Sequence, residues 1–188
     1  MKRSIGIKPA VIPAPVLLVG TYDADGSPNA MTAAWGGVCS SSPVSISFSV
    51  QKSRYTYEAL MKNRECTINI PTEKNVQEAD FFGLKSGKDI NKFTATGLTP
   101  KKGTSVNAPW IEECPIVIEC IISQIHEIGI HVQFIAEVID VLVDESLITS
   151  EGKIDLTTAA PFLYDPLNRV YHRIGTHLMD AFTTGSKF

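Results

Sequence analysis

Residues 28–56, PNAMTAAWGGVCSSSPVSISFSVQKSRYT, combine many small side chains with a basic and hydroxyl-rich end. Small residues let a flat ligand lie close to main-chain N–H groups. The final residues, KSRYT, follow a run typical of a strand, and guanidinium and hydroxyl donors suit a phosphate. The stretch therefore predicts a site for a planar, phosphorylated ring system. The alternative is a strand, a loop and a strand whose small residues only pack.

Flavin mononucleotide (FMN) is the candidate ligand, and Arg54 is the first candidate for contact with its phosphate. The guanidinium offers a planar fork of donors, and Ser53 and Thr56 add hydroxyls. A helix predicted to begin near Tyr55 would direct free N–H groups and its positive dipole end the same way. The alternative is that Ser53 only caps this helix and Arg54 is a solvated charge.

Residues 31–35 are expected to follow the edge of the isoalloxazine ring. Their backbone N–H groups can donate to ring positions that gain charge on reduction, and Thr32 adds a hydroxyl. Trp35 either stacks near the ring or fills the core, and Asn29 either holds the loop or contacts the ribityl chain. Because a flavin carries the redox chemistry itself, we predict no catalytic side chain.

The composition indicates one globular domain over residues 1–188. The net charge of −3 argues against a nucleic-acid partner, and no apolar run approaches the roughly 18 residues that span a membrane. The N-terminal nine residues lack the apolar core of a signal peptide. None of the four cysteines forms a Cys-x-x-Cys pair, so we expect reduced thiols in a cytoplasmic protein; they are Cys39, Cys66, Cys114 and Cys120.

Short β-branched runs with period-two alternation dominate the chain. They predict strands at residues 16–22, 29–34, 44–50, 66–70, 115–125 and 131–143, with turns at residues 23–26 and at Gly129. Helices are predicted at residues 55–63 and 73–83, with a short one at 177–182, and residues 86–103 are expected to cross the surface. No Gly-x-Gly-x-x-Gly turn follows the first strand, so a Rossmann fold is excluded. The predicted fold class is mainly β, a small Greek-key barrel with a few added helices.

His126 and His131 flank Glu127, which invites comparison with the zinc-protease helix motif. That motif places two histidines four residues apart on one helical face. Here they are five apart, with a glycine between them in β-rich sequence. We therefore predict no metal site.

The order of several motifs resembles the flavin reductase-like, FMN-binding split-barrel family, and in particular its flavoredoxin branch. The matching segments are PVLLVGT, DG, NAMTAAW, SP, SRYT, TINI, NKF, HEIGIH, AEV, PFLYD and YHRIG. The resemblance implies a split β-barrel, bound FMN and a homodimer with the flavin near the subunit interface. The cofactor-binding residues that it and the chemistry together indicate are Asn29, Met31, Thr32, Ala33, Ala34, Trp35, Ser53, Arg54, Thr56, Lys92 and His131.

The segment Gly129-Ile130-His131 departs from the family, whose reductases often carry Gly-Asp-His at this place. The lost carboxylate predicts slow direct use of NAD(P)H. His131 either lies near the flavin or caps a turn, and Ile130 either faces the approach to the ring or the core. In the tail, Tyr164, Tyr171 and His172 either line the mouth of the site or pack in the core or a dimer contact.

The function that the resemblance implies is electron transfer by an FMN flavoprotein, between a reduced donor and a redox partner protein or small-molecule acceptor. An NAD(P)H:flavin oxidoreductase is the alternative. A non-catalytic flavin- or haem-binding protein is a second alternative. The chain is therefore expected to be an oxidoreductase or an electron carrier of this family.

Overall fold

The computed structural model describes residues 1–187 and is built mainly of antiparallel strands. The strands are β1 Ala14–Pro15, β2 Leu17–Tyr22, β3 Pro28–Ala33, β4 Gly36–Ser41, β5 Val44–Gln51, β6 Glu65–Ile70, β7 Pro100–Lys102, β8 Pro109–Ile111, β9 Ile116–Ile128, β10 His131–Val143, β11 Phe162–Asp165 and β12 Val170–Arg173. The α-helices are α1 Thr56–Asn63, α2 Val76–Leu84, α3 Lys92–Thr96 and α4 Leu156–Ala159. No helix within residues 1–187 has both the length and the apolar character to cross a membrane.

Seven strands form one sheet in the order β3-β2-β6-β9-β10-β5-β4, and every pairing in it is antiparallel. The chain passes from β3 at one edge directly to β4 at the other, so the sheet curls until its edges approach. At this corner the Ser49 N–H donates to the Trp35 carbonyl at 2.8 Å. A Cβ at Gly36 would come within 2.8 Å of the Ser47 carbonyl oxygen, so the corner needs glycine. The result is a split β-barrel.

Alternating side chains on β2 and β3 serve two separate cores. Leu17, Val19 and Met31 point into the barrel, where Phe48 and Phe134 stack with ring centroids 5.5 Å apart. The alternate positions pack outward against α2, α3 and the β11–β12 hairpin; the members of this outer core include Val16, Leu18, Ala30, Ala79, Phe82, Phe93 and Phe162. Because both faces of β3 are buried, its outer edge and C-terminal end are held rigidly, and the candidate site forms there.

Most predicted elements are confirmed within two or three residues, including both long strands and the turn at Gly129 (φ +58°). The helix predicted at residues 177–182 is wrong: the chain there is irregular, and a 3-10 turn follows at Thr184–Lys187. The surface crossing at residues 86–103 is also partly wrong. It contains α3, where Phe93 and then Leu98 anchor the segment to the outer core, although Gly, Lys and Thr dominate its composition.

Candidate functional site

A cavity of about 410 Å³ opens where the ends of β3, β5 and β10 meet α2 and the β11–β12 hairpin. Its wall is mixed in character, with aromatic rings, main-chain surface, two arginines and one aspartate. The lining residues are Met31, Thr32, Ala33, Ala34, Trp35, Ser49, Val50, Gln51, Arg54, Asp80, Gly83, Leu84, His131, Tyr164, Arg169 and Tyr171. A concave, mostly apolar space with a few polar groups is the usual form of a cofactor site.

A second cavity of about 90 Å³ adjoins the first and shares part of its wall, including Met31, Arg54 and Gly83. Leu84 is shared as well, and the rest of the wall is mainly basic or hydroxyl-bearing; it comprises Ser53, Tyr55, Thr56, Lys85, Ser86 and Lys92, together with Phe82 and Gly87. The larger cavity suits a flat ring system, and the smaller one suits a compact anion. Every predicted site residue except Asn29 lines one of the two cavities.

Arg54 lies between the cavities, immediately before α1. Its Nη1 donates to the Gly83 carbonyl at 3.0 Å, so the exposed guanidinium is tethered to the end of α2 and does not extend freely into solvent. Helix α1 begins at Thr56 with Tyr55 at its N-cap, and no side chain caps it. The alternative in which Ser53 caps the helix is therefore wrong. The uncapped first turn leaves main-chain N–H donors for an anion.

Lys92 is a buried cation at the wall of the smaller cavity, only 4% exposed. Its Nζ donates to the Phe82 carbonyl at 3.2 Å and lies 5.2 Å from the centre of the Phe82 ring. Its pKa is lowered to about 8, mainly by burial; the negative charge of Asp23 partly opposes this shift, and the positive charge of Arg54 contributes to it. A buried ammonium beside an arginine is held in an environment that an anion would stabilise.

Asn29 holds the wall of the site from behind. Its Nδ2 donates to the Thr56 hydroxyl at 3.0 Å, which ties β3 to the first turn of α1. Its Oδ1 is buried and has no hydrogen-bond partner within the described residues, and a Cβ at Gly87 would approach that oxygen to 2.7 Å. Of the two predicted roles, holding the loop is the one that the geometry favours.

Residues 31–35 all line the larger cavity. β3 pairs with β2 on one side only, so every second residue of β3 turns its N–H and carbonyl away from the sheet. The Thr32 hydroxyl already donates to the Ala79 carbonyl, which leaves its oxygen as an acceptor only. Trp35 is 37% exposed at the cavity, so the alternative that it fills the core is wrong.

His131 lines the same cavity at the first residue of β10, opposite Gln51 of β5. The neighbouring Ile130 is 71% exposed at the hairpin tip, so the alternative that it faces the core is wrong. Lys52 pairs with Glu127 at 2.8 Å and lines neither cavity. No cluster of three metal-ligating side chains occurs among residues 1–187.

Sequence reasoning missed the contribution of α2 and of the β11–β12 turn. Asp80 and Arg169 both line the larger cavity, and the Tyr171 hydroxyl donates to the Asp80 carboxylate at 2.8 Å. Tyr164 and Tyr171 line the cavity and also pack against the outer core, so the two predicted roles coexist. The only sequence signal for Arg169 was its place in the turn-forming segment DPLNR between two aromatic strands.

The chain belongs to the flavin reductase-like family, because the family model described as "Flavin reductase like domain" matches residues 10–174. The fold agrees with this class, so the chain is a flavin reductase-like flavoprotein, and its likeness to two solved flavoredoxins assigns it to the flavoredoxin branch.

Two solved flavoredoxins are the most informative relatives. The flavoredoxin of Desulfovibrio vulgaris (Miyazaki F) is 42% identical, with a TM-score of 0.95 over 98% of this chain and 100% of that one. The flavoredoxin of Methanosarcina acetivorans is 28% identical, with a TM-score of 0.89 over 99% of each chain. An uncharacterized protein of Aquifex aeolicus is 26% identical over 73% of this chain and 75% of its own length.

Proposed function

We propose that this protein binds FMN and transfers electrons between a reduced donor and a partner protein or small acceptor. One observation carries the proposal: a ring-sized cavity opens onto a small basic cavity, with Arg54 at their junction. The buried Oδ1 of Asn29 and the close packing at Gly87 show how tightly the wall around the basic cavity is built. The residues that line the two cavities fit a planar ring with a phosphate tail.

In this assignment Arg54, Lys92 and the hydroxyls of Ser53 and Thr56 hold the phosphate. Two cationic groups and the uncapped first turn of α1 supply charge-assisted hydrogen bonds there. The N–H groups among residues 31–35 that face away from the sheet would hold the polar edge of the ring, and the side chain of Trp35 would limit the access of water to it. Bound FMN supplies the redox chemistry, since it accepts and releases electrons.

The approach to the ring favours a protein donor over a dinucleotide. Ile130 is exposed beside the cavity residue His131, in the position where the family's reductases often carry aspartate. An apolar side chain removes an acceptor for a polar donor molecule and suits the core of a docked protein surface. This supports electron carriage over the NAD(P)H:flavin oxidoreductase alternative.

We therefore expect slow reduction of the bound flavin by NADH and NADPH, and faster reduction by a low-potential protein donor such as a reduced ferredoxin. Stopped-flow absorbance of the FMN-loaded protein measures both rates. Ile130→Asp should speed reduction by NADH, whereas Ile128→Asp, an exposed change on the same hairpin, should not. Rapid, saturable bleaching of the wild-type protein by micromolar NADH or NADPH would support the oxidoreductase instead.

A homodimer is part of the proposal. Exposed apolar side chains occur on three strands of the large sheet, β4, β9 and β10, namely Val38, Ile121, Ile139 and Val141. Exposed apolar side chains of this kind, repeated on an identical chain, suit a two-fold symmetric contact. The four cysteines of the protein form no disulfide, and free thiols of this kind fit the reducing conditions of a cytoplasm.

Light scattering of the flavin-loaded protein at micromolar concentration should give twice the 20.5 kDa of one chain. The double variant Ile139→Lys/Val141→Lys should shift the mass toward one chain, because burying two ammonium groups opposes association. Lys153→Glu, at an exposed site on another face, serves as the control. A flavin-loaded wild-type protein with the mass of one chain contradicts the dimer.

A further inference from the structure

The turn between β11 and β12 holds Arg169 in a fixed position beside the larger cavity. The Asp165 carboxylate accepts hydrogen bonds from the N–H groups of Leu167 and Asn168 at 2.8 and 3.2 Å, and from Asn168 Nδ2 at 2.6 Å. The Arg169 N–H closes the turn on the Asp165 carbonyl at 2.8 Å. Arg169 itself has φ +58°, a left-handed conformation that few non-glycine residues adopt. The turn therefore fixes the direction in which this side chain leaves the backbone.

Within residues 1–187, Arg169 has no counter-ion. Its guanidinium makes no ion pair and no hydrogen bond with any group in residues 1–187, although it lines the cavity. The carboxylate that lines the same cavity, Asp80, accepts the Tyr171 hydroxyl. The other arginine of the wall, Arg54, is tethered to Gly83 and also lines the basic cavity. One unpaired cation thus remains at the end of the cavity formed by the β11–β12 hairpin.

Three aromatic rings line the same cavity as Arg169. Tyr164 and Tyr171 lie with ring centroids 5.6 Å apart, and Trp35 contributes a third ring to the same wall. The bond from Tyr171 to Asp80 fixes the orientation of that ring. Aromatic walls favour a flat, apolar ligand body, and a guanidinium fork matches the two oxygens of a carboxylate.

We propose that this end of the cavity binds an aromatic monocarboxylate, with Arg169 contacting its carboxylate. The inference rests on the proposed function, in which the phosphate of FMN occupies the basic cavity and engages Arg54 and Lys92. A single negative charge is specified because Asp80 lies on the same wall and repels a second one. Arg169 is accordingly a specificity-determining residue for this small-molecule ligand.

The test titrates the FMN-loaded protein with benzoate and with benzamide, its neutral isostere, and follows the difference spectrum of the bound flavin. Benzoate should bind at least tenfold more tightly than benzamide. Arg169→Gln should weaken benzoate binding by about tenfold or more and leave benzamide and FMN affinities within about twofold. Arg64→Gln is the matched control, because Arg64 has the same φ of +58° and lines neither cavity.

Two outcomes of this titration would overturn the subsite. Equal affinities for benzoate and benzamide would show that the Arg169 guanidinium does not contact the carboxylate of the ligand. A loss of FMN affinity in Arg169→Gln that matches the loss of benzoate affinity would assign the guanidinium to the flavin. If the protein binds no FMN, the proposed function fails separately. Calorimetry of benzoate with the flavin-free protein then decides the subsite: Arg169-dependent binding sustains it, and absent or Arg169-independent binding overturns it.

Discussion

Replacing Arg54 by alanine should weaken FMN binding by about ten- to a hundredfold and leave riboflavin binding almost unchanged. A hydrogen bond to a charged group contributes about 1.5–3 kcal/mol, which corresponds to that loss of affinity. Riboflavin lacks the phosphate, so it does not need the guanidinium at the junction of the two cavities. Fluorescence titration of the flavin-free protein with both ligands gives the two dissociation constants.

Arg64→Ala is the control for this experiment, because Arg64 is an arginine at the other end of α1 that lines neither cavity. The circular dichroism spectrum of each variant shows whether the Arg54 tether to Gly83 is needed for folding. Equal losses of FMN and riboflavin affinity would contradict a phosphate role, and would place Arg54 at the ring or in the structure of the wall.

Replacing Lys92 by methionine should lower FMN affinity at pH 7 by a similar factor and should also remove a pH dependence. In the flavin-free protein burial lowers the pKa of Lys92 to about 8, from an ordinary 10.5. A phosphate beside the amine favours its charged form and raises this pKa in the complex. As the pH rises above 8, Lys92 loses its proton in the flavin-free protein, and FMN binding then requires the amine to take a proton up again. Affinity for FMN therefore falls, by up to about tenfold per pH unit.

Asp23, the carboxylate whose charge acts on Lys92, does not titrate in this window. Burial raises the pKa of Asp23 to about 6, the hydrogen bond from Tyr55 opposes that rise, and the carboxylate is ionised above pH 7. The second ionisation of a phosphate monoester is also complete there, since its pKa is about 6. Lys88→Met, at an exposed lysine that lines neither cavity, should keep the pH dependence. An FMN affinity that stays constant from pH 7.5 to about 9.5 in the wild-type protein would contradict contact between Lys92 and the phosphate.

The parts of the fold that were predictable are those set by local pattern. The alternation of Val, Ile and Phe with Ser in β5 and the length of β9 and β10 identified strands, because one face of each is buried. β4 carries mostly glycine and serine and has no such alternation, so the sequence predicted a loop there. It pairs with β5 across the tight turn at Ser42-Pro43, and the glycine at its start is required by close packing against the Ser47 carbonyl of β5 and against Leu17 of β2, which the local sequence does not reveal.

The same distinction separates the halves of the candidate site. Residues 31–35 and 53–56 lie in one continuous stretch of sequence, and their residue types predicted a site for a ring and a phosphate. The structure brings them to adjoining cavities. Lys92 was indicated through family resemblance, because a lysine in a surface-like segment gives no sign that it is buried. Asp80 and Tyr171 are 91 residues apart in the chain, and nothing local to either one predicts their hydrogen bond.

The central claim is that the chain holds FMN, and the absorption spectrum of the purified protein tests it most directly. The account predicts the bands of oxidised flavin, a ratio of one flavin per chain, and a heat-released cofactor that co-elutes with FMN in chromatography. A protein that is purified without flavin and gains none when titrated with FMN would contradict the claim. Release of FAD or riboflavin would contradict the assignment of the basic cavity to a terminal phosphate.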